Sequence, residues 1–257
     1  MHPKARGIVL GGVGIGLWLV IWGWATTAGP FGDTPGLSTV HDTFSTAVDL
    51  ATRPSFWSAV AVTVWISLLS LAIALLIGTA VGASTGYSQS VFAVLDPTLQ
   101  FLRPLPPVVL IPLLVLTVGP STQLAVILAT LGATWPILIQ VRAGVQATDP
   151  VALETARALK LSWWRTQFNV VLPSAFPFAA TGVRIGAATS LMLTIGTGIL
   201  VGTPGIGRLV ATAQETGQVA TVFAVILWTG FLGMAYATAL GAIERIATVN
   251  HRSGGRA

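Results

Sequence analysis

Asp149-Pro150-Val151-Ala152-Leu153-Glu154-Thr155-Ala156-Arg157-Ala158-Leu159-Lys160-Leu161-Ser162-Trp163-Trp164-Arg165, closed by Val170-Val171-Leu172-Pro173, is one charged stretch set between long apolar ones. Its carboxylate, guanidinium and ammonium groups need water or another protein around them, because an ion is costly to place in hydrocarbon. The flanking runs are apolar enough to sit in lipid. The stretch therefore reads as the place where a membrane-embedded chain meets a soluble partner.

Composition agrees. The chain has 257 residues, 53% hydrophobic and 8% charged, with a mean hydropathy of +0.81. Soluble domains carry about 25% charged residues, so most of this chain has no need of a wet surface and the class is integral membrane protein. There is no cysteine, which excludes disulfides and thiolate metal sites. Lys4 and Lys160 are the only lysines. The pI near 10.8 comes from cations scattered at the ends of apolar runs, a pattern of membrane orientation and contact with lipid headgroups, not of nucleic-acid binding.

A span needs about 20 mostly apolar residues. Six are expected, at about 7–25, 57–82, 99–118, 122–141, 176–201 and 222–243, forming one transmembrane domain over residues 1–257. The first follows Met1-His2-Pro3-Lys4-Ala5-Arg6 and is longer than the roughly 7–15 residues of a signal-peptide core, so it is expected to be retained. Gly29 to Arg53, with Asp33, Asp42 and Asp49, reads as a polar connection. Asp96-Pro97 reads as a helix start, because Asp caps and Pro suits the first turn. Pro106, Pro107 and Pro112 predict a kinked third span beginning near Leu99. Gly119-Pro120-Ser121 is a turn, Pro136 lies inside the fourth span, and Gly202-Thr203-Pro204-Gly205-Ile206-Gly207 is a loop before a semi-polar stretch to Thr221.

Cation counting orients these spans. With both termini cytoplasmic, Lys4, Arg6, Arg103, Arg142, Arg157, Lys160, Arg165, Arg184, Arg245, Arg252 and Arg256 fall inside or at the inner boundary, and only Arg53 and Arg208 fall outside. The inverted topology reverses that ratio. No internal repeat is present, and a path for solute would form more comfortably between two such chains than within one.

Within the charged segment, Asp149-Pro150 gives a cap and a first-turn proline. Leu153, Ala156 and Leu159 or Lys160 recur at helical spacing on one side, with Glu154, Arg157 and Lys160 on the other. Ser162 is placed to cap a second helix from Trp163, which should stop before Pro173 because the residue ahead of a proline avoids the α region. Such a short surface helix either docks into a groove on a partner or lies on the headgroups.

Glu154-Thr155-Ala156, with Val170-x-Leu172-Pro173 sixteen residues after the glutamate, resembles the EAA loop of binding-protein-dependent ABC importer permeases. That pattern is Glu-Ala-Ala, a glycine shortly after, then Ile-x-Leu-Pro. Thr155 replaces the middle alanine, Val170 replaces isoleucine, and Lys160 stands where the family usually has glycine. Phe101-Leu102-Arg103-Pro104-Leu105-Pro106-Pro107, Ile111-Pro112-Leu113, Ala175-x-Pro177, Thr181-Gly182-Val183-Arg184 and Pro204-Gly205-Ile206-Gly207 are similar to the nitrate/sulfonate/taurine subgroup. The resemblance implies an all-α, six-span subunit of the type I importer kind. It implies that Leu153, Glu154, Thr155, Ala156, Arg157, Ala158, Leu159 and Lys160 form a coupling helix seated in a cytoplasmic ATPase dimer, with Val170, Leu172 and Pro173 ending the loop. It also implies a second permease copy, an extracytoplasmic binding protein and a place in the bacterial inner membrane. The chain has no Gly-x-x-x-x-Gly-Lys-Ser/Thr phosphate loop, so ATP and Mg would be used by the partner and no cofactor or metal by this chain.

Hydroxyls inside the spans have two readings. Ser67, Thr134 and Thr194, with Arg184, either line a path for a polar or anionic solute, or the hydroxyls tie helices together and Arg184 snorkels to the interface. Thr63, Ser70, Thr130, Thr189, Ser190 and Thr197 share those faces, and Gly78, Gly82, Gly132 and Gly144 read as close-packing points. No acid or histidine is placed in mid-span, as a proton-coupled carrier would require, and Glu244-Arg245 ends the sixth span as an interfacial pair. An ion-gradient carrier or channel is the competing reading. A membrane enzyme is disfavoured, since His2, His41 and His251 lie outside the spans and neither His-Glu-x-x-His nor Gly-x-Ser-x-Gly occurs.

Overall fold

The computed structural model describes the backbone of residues 3–29, 31, 34 and 36–253, and the side chains of these from 9 to 242. Asp33 and the side chains of Lys4, Arg6, Glu244, Arg245 and Arg252, with Arg256, lie outside the described residues. Every regular element among those described is helical. The order is α1 (Pro3–Thr27), α2 (Val40–Thr52), α3 (Pro54–Tyr87), α4 (Gln89–Leu102), a 3₁₀ turn (Pro107–Leu110), α5 (Ile111–Val118), α6 (Thr122–Gln146), α7 (Pro150–Ala158), α8 (Trp163–Thr166), a π turn (Gln167–Val171), α9 (Leu172–Val201), α10 (Ile206–Glu215) and α11 (Val219–Ser253).

Helices α1, α3, α6, α9 and α11 are long and apolar enough to cross a membrane, and α4 with α5 reaches that length and apolarity only as a pair bent by 77°. The third span differs from its expected course. It starts at Ser88, whose hydroxyl caps the Val91 N–H at 3.3 Å, so Asp96-Pro97 lies within α4. Asp96 instead accepts from Gln100 Nε2 at 2.5 Å, one turn on. The break falls at residues 103–106, and Pro112 sits harmlessly in the first turn of α5. Gly119, at φ +68, turns the chain into α6, capped by Ser121.

The centre is a sandwich of α3, α6 and α9. Leu71 and Ala74 from α3, Ala133, Ile137 and Val141 from α6, Ala187 and Leu191 from α9 and Tyr236 from α11 form one buried cluster. Glycines set its spacing. A methyl group at Gly82 would sit 2.6 Å from the Leu138 carbonyl oxygen, and one at Gly186 would sit 3.0 Å from that of Ala133. Gly78 and Gly86 flank Gly82 at one-turn intervals against the same helix, so the backbones approach as small-residue ridges allow. Gly132 and Gly144 are close-packed too, against Leu193 and Ala175.

A second cluster closes the other end of α3. It joins Ala47 and Leu50 of α2, Phe56, Ile206 and Val210 of α10, and Ala224 and Val225 of α11. Neither α2 nor α10 is expected from the polar look of their stretches. Each is a short amphipathic helix: α2 buries Thr43, Ala47 and Leu50, and α10 buries Ile206, Gly207, Val210 and Ala213. Thr39 caps α2 through the Asp42 N–H at 3.1 Å, and Trp228 Nε1 and Trp57 Nε1 donate to its Ala47 and Ala51 carbonyls at 3.0 and 2.8 Å.

Candidate functional site

The charged segment joins α6 to α9 beside the far end of α3. Asp149 caps α7 as its sequence demands, accepting the Val151 N–H at 2.9 Å, with Pro150 in the first turn. Ala156 is buried, Ala152 and Leu153 are half-buried, and Val151, Glu154, Thr155, Arg157, Ala158, Leu159 and Lys160 are exposed. The inner side is thus Leu153 and Ala156, and neither Leu159 nor Lys160 continues it. The reason is the way the helix ends. The Leu161 N–H reaches back to the Ala156 carbonyl at 3.0 Å, and the Lys160 N–H to that of Arg157 at 2.9 Å. This is a Schellman turn, whose pivot must be left-handed. Lys160 takes that conformation at φ +50, the only non-glycine at positive φ among the described residues. The turn swings Leu159 outward, 67% exposed, and brings Leu161 in to half-burial in its place. Lysine holds this turn at a cost of about 1–2 kcal/mol.

α8 begins at Trp163, as expected, but Ser162 contributes only extended backbone and no side-chain cap bond. Nor does the chain leave the helix before Pro173. The Leu172 N–H bonds to the Gln167 carbonyl five residues back, and this π turn leads straight into α9 with Pro173 in its first turn. Widening the backbone by one residue relieves the clash a proline ring makes with a preceding turn. Ser174 Oγ takes up the Val170 carbonyl at 2.8 Å. Tyr87, the last residue of α3, donates its hydroxyl to Gln167 Oε1 and so ties this bend to the core. Val170 is half-buried, while Leu172 and Pro173 are exposed. Trp163, Trp164 and Phe168 are exposed, Trp163 meeting Trp164 edge to face at 4.5 Å and Trp164 stacking on Phe168 at 6.3 Å, an aromatic girdle suited to an interface.

The hydroxyls within the spans lie at different depths. Ser67 is fully buried, contacting Ser190 Oγ at 3.2 Å and donating to the Tyr236 hydroxyl at 3.1 Å. Ser190 Oγ donates to the Ser67 carbonyl at 2.8 Å. Thr194 is 2% exposed and bonds back to Ser190. Within one chain these groups knit α3, α9 and α11. Thr134 is half-buried and bonds to the Thr130 carbonyl. Arg184 is exposed and lines a cleft of about 550 Å³ between α9 and α11, together with Tyr236 and the glycines 230 and 233. Tyr236 gave no sign in the sequence, because nothing local marks a tyrosine whose hydroxyl meets a serine far along the chain. Arg142 was likewise read only as an inner cation. Its guanidinium lies 3.3 Å over the Phe92 ring, a cation–π contact.

Residues 74–246 match the family described as the binding-protein-dependent transport system inner membrane component, which is more than half of the chain. This chain belongs to that family. Its relatives include the nitrate import permease protein NrtB of Synechocystis, 29% identical over 63% of this chain and 58% of that protein. The aliphatic sulfonates transport permease protein SsuC of Bacillus subtilis is 26% identical over 89% of this chain and 81% of its own length. Among solved structures, an amino acid ABC transporter crystallised with histidines superposes with a TM-score of 0.61. It is 19% identical and covers 75% of this chain and 94% of that one. The fold is that of the membrane subunit of type I importers, and this family member is a multi-pass membrane protein.

Proposed function

We propose that this chain is the permease subunit of an ATP-driven importer for a small polar or anionic solute of the nitrate, sulfonate or taurine kind. The observation that carries the proposal is α7. Val151, Glu154, Thr155 and Ala158 stand exposed together at helical spacing on one face of a nine-residue helix, with Leu159 turned outward at its end. An apolar stripe with one carboxylate, held outside the spans on a capped and rigidly turned helix, suits a groove on a soluble partner. That partner is an ATPase dimer that binds ATP and Mg, and Leu153 to Lys160 transmit its closure to α6 and α9. Two copies of the chain form the path, Ser67, Thr134, Thr194 and Arg184 lying on or behind it. An extracytoplasmic binding protein delivers the solute. The chain sits in the bacterial inner membrane with both termini cytoplasmic and carries out no hydrolysis itself.

Glu154 tests this. Its side chain is exposed and joins no hydrogen bond or ion pair among the described residues, so Glu154→Lys leaves the fold intact. Affinity capture of the tagged wild-type chain from its own membranes should bring down a phosphate-loop ATPase in about equal amount. The variant should insert normally, lose that ATPase and lose solute uptake. Full uptake by Glu154→Lys, or uptake by the chain without ATP, would replace the importer reading with a gradient-driven carrier.

A further inference from the structure

The end of the bundle opposite α7 holds a cleft of about 440 Å³ between the start of α3 and α10. Arg53 and Arg208 both line it. They are far apart in sequence, yet they are the two cations that orientation places on the outer side. No aspartate or glutamate lines the cleft, and neither arginine is paired with a carboxylate among the described residues. The rest of the polar lining is hydroxyl and amide, from Ser55, Ser58, Thr212, Thr221 and Gln218. The Thr221 hydroxyl donates to Gln218 Oε1 at 3.3 Å, which leaves the amide nitrogen of Gln218 as a donor.

Backbone geometry adds to the positive field. Pro204 and Gly205, the residues leading into α10, form part of the wall. Gly205, at φ +130, sits on Thr63, where a methyl group would come within 2.5 Å of Oγ1. The Ile206 N–H donates to that same oxygen at 2.9 Å. This anchor holds the first turn of α10, and with it Arg208, at the cleft. The positive end of the helix dipole then reinforces two guanidinium groups. The volume falls within the usual range for small-molecule sites, about 300–1,000 Å³.

We infer that this cleft is a receiving site for a small oxoanion, nitrate or a sulfonate, at the outer mouth of the permease. Two guanidinium groups with the Gln218 amide and the hydroxyls of Ser55 and Thr212 match the planar or pyramidal oxygens of such anions. The site attracts the solute after release and holds it next to the α3–α10 contact. This deepens the importer reading and rests on it for the identity of the outer side. A lipid phosphate offers the same oxygens, so the source of the anion has to be separated by experiment.

The test is calorimetric titration of the purified full-length chain with methanesulfonate at low ionic strength, once in a phosphate-free glycoside detergent and once in nanodiscs. The expected result is saturable binding in both, weakened at least tenfold in Arg53→Gln/Arg208→Gln and unchanged in Arg165→Gln, an exposed cation on α8 at the α7 end. Both arginines are exposed, so each single variant provides a folded check and should weaken binding on its own. Binding in detergent that vanishes in nanodiscs overturns the solute assignment in favour of lipid phosphate. No saturable binding in either medium, or equal affinity in the double variant, overturns the site altogether. Capture of the ATPase by the same wild-type preparation is scored separately, so a failed anion site is distinguished from a failed importer reading.

Discussion

Helices α1 and α6 are each 25 residues long, and both are apolar enough to span, with mean hydropathies of 1.6 and 1.9. Only 6% of the α1 span is buried within the chain, against 56% of the α6 span. Glycine content does not explain the difference. In α1, Gly11, Gly12, Gly14 and Gly16 have open space where a side chain would go, whereas Gly78, Gly82, Gly144, Gly182 and Gly186 around α6 meet backbone at contact distance. Lipid tails are as apolar as leucine, so hydropathy decides only whether a helix enters the membrane. What it packs on is decided by steric fit and hydrogen bonds. α6 has a helix on each side, and α1 presents its surface to lipid or to another chain.

That contrast can be broken by paired substitutions. The largest effect is expected at Gly82. Gly82→Ala forces a methyl group against the Leu138 carbonyl and should cost about 1–3 kcal/mol. Gly14→Ala in α1 should shift stability by less than about 1 kcal/mol, in the favourable direction, because alanine is the better helix former. Thermal unfolding of both variants in one detergent measures this, and equal losses would mean that α1 is packed after all. Next comes the hydroxyl cluster. Ser67→Ala removes contacts to Ser190 and Tyr236 and should cost about 0.6–1.7 kcal/mol. Thr117→Val, where the exposed hydroxyl bonds only within its own helix, should cost less than Ser67→Ala in the same unfolding assay.

A smaller effect, of opposite sign, is expected outside the packed core. Lys160→Gly relieves the left-handed strain at the end of α7 and should gain about 1 kcal/mol locally. Slower amide exchange at Lys160 and Leu161, whose N–H groups close the turn, would show it. The smallest effect is at α2. Hydrogen bonds from Thr39 and then His41 hold the Asp42 carboxyl below its ordinary 3.8. A lowered folded-state value means that this contribution is complete above the ordinary pKa and is lost as the pH falls through the lowered one. Amide exchange at the first turn of α2 should quicken only below about pH 4, with the α3–α6–α9 core unaffected.

Much of the candidate site was legible because its signals are local. A cap is an oxygen two or three residues from the N–H it binds, so Asp149-Pro150 announced α7. Asp96-Pro97 carries the same two-residue signal and misled, because Ser88 had already started that helix and a proline is tolerated within it when the surroundings absorb the lost bond. The π turn at 167–171 was not legible, since nothing in Gln167 to Val171 distinguishes a five-residue hydrogen bond from a four-residue one. Helices α2 and α10 were hidden by their polar faces, because the apolar partners that justify them lie on α3 and α11.

From sequence alone came the membrane class, the apolar runs that make the spans, the cation asymmetry and the spacing of the segment from Glu154 to Pro173. All of these depend on composition or on neighbours a few residues away, where hydration and local hydrogen bonding act. Tertiary structure alone decided that α6 lies between α3 and α9, that Ser67 meets Tyr236, that Leu159 turns outward, and that Arg53 and Arg208 line one cleft. Those outcomes depend on which surfaces fit at contact distance, and van der Waals fit between distant segments leaves no periodic trace in the chain.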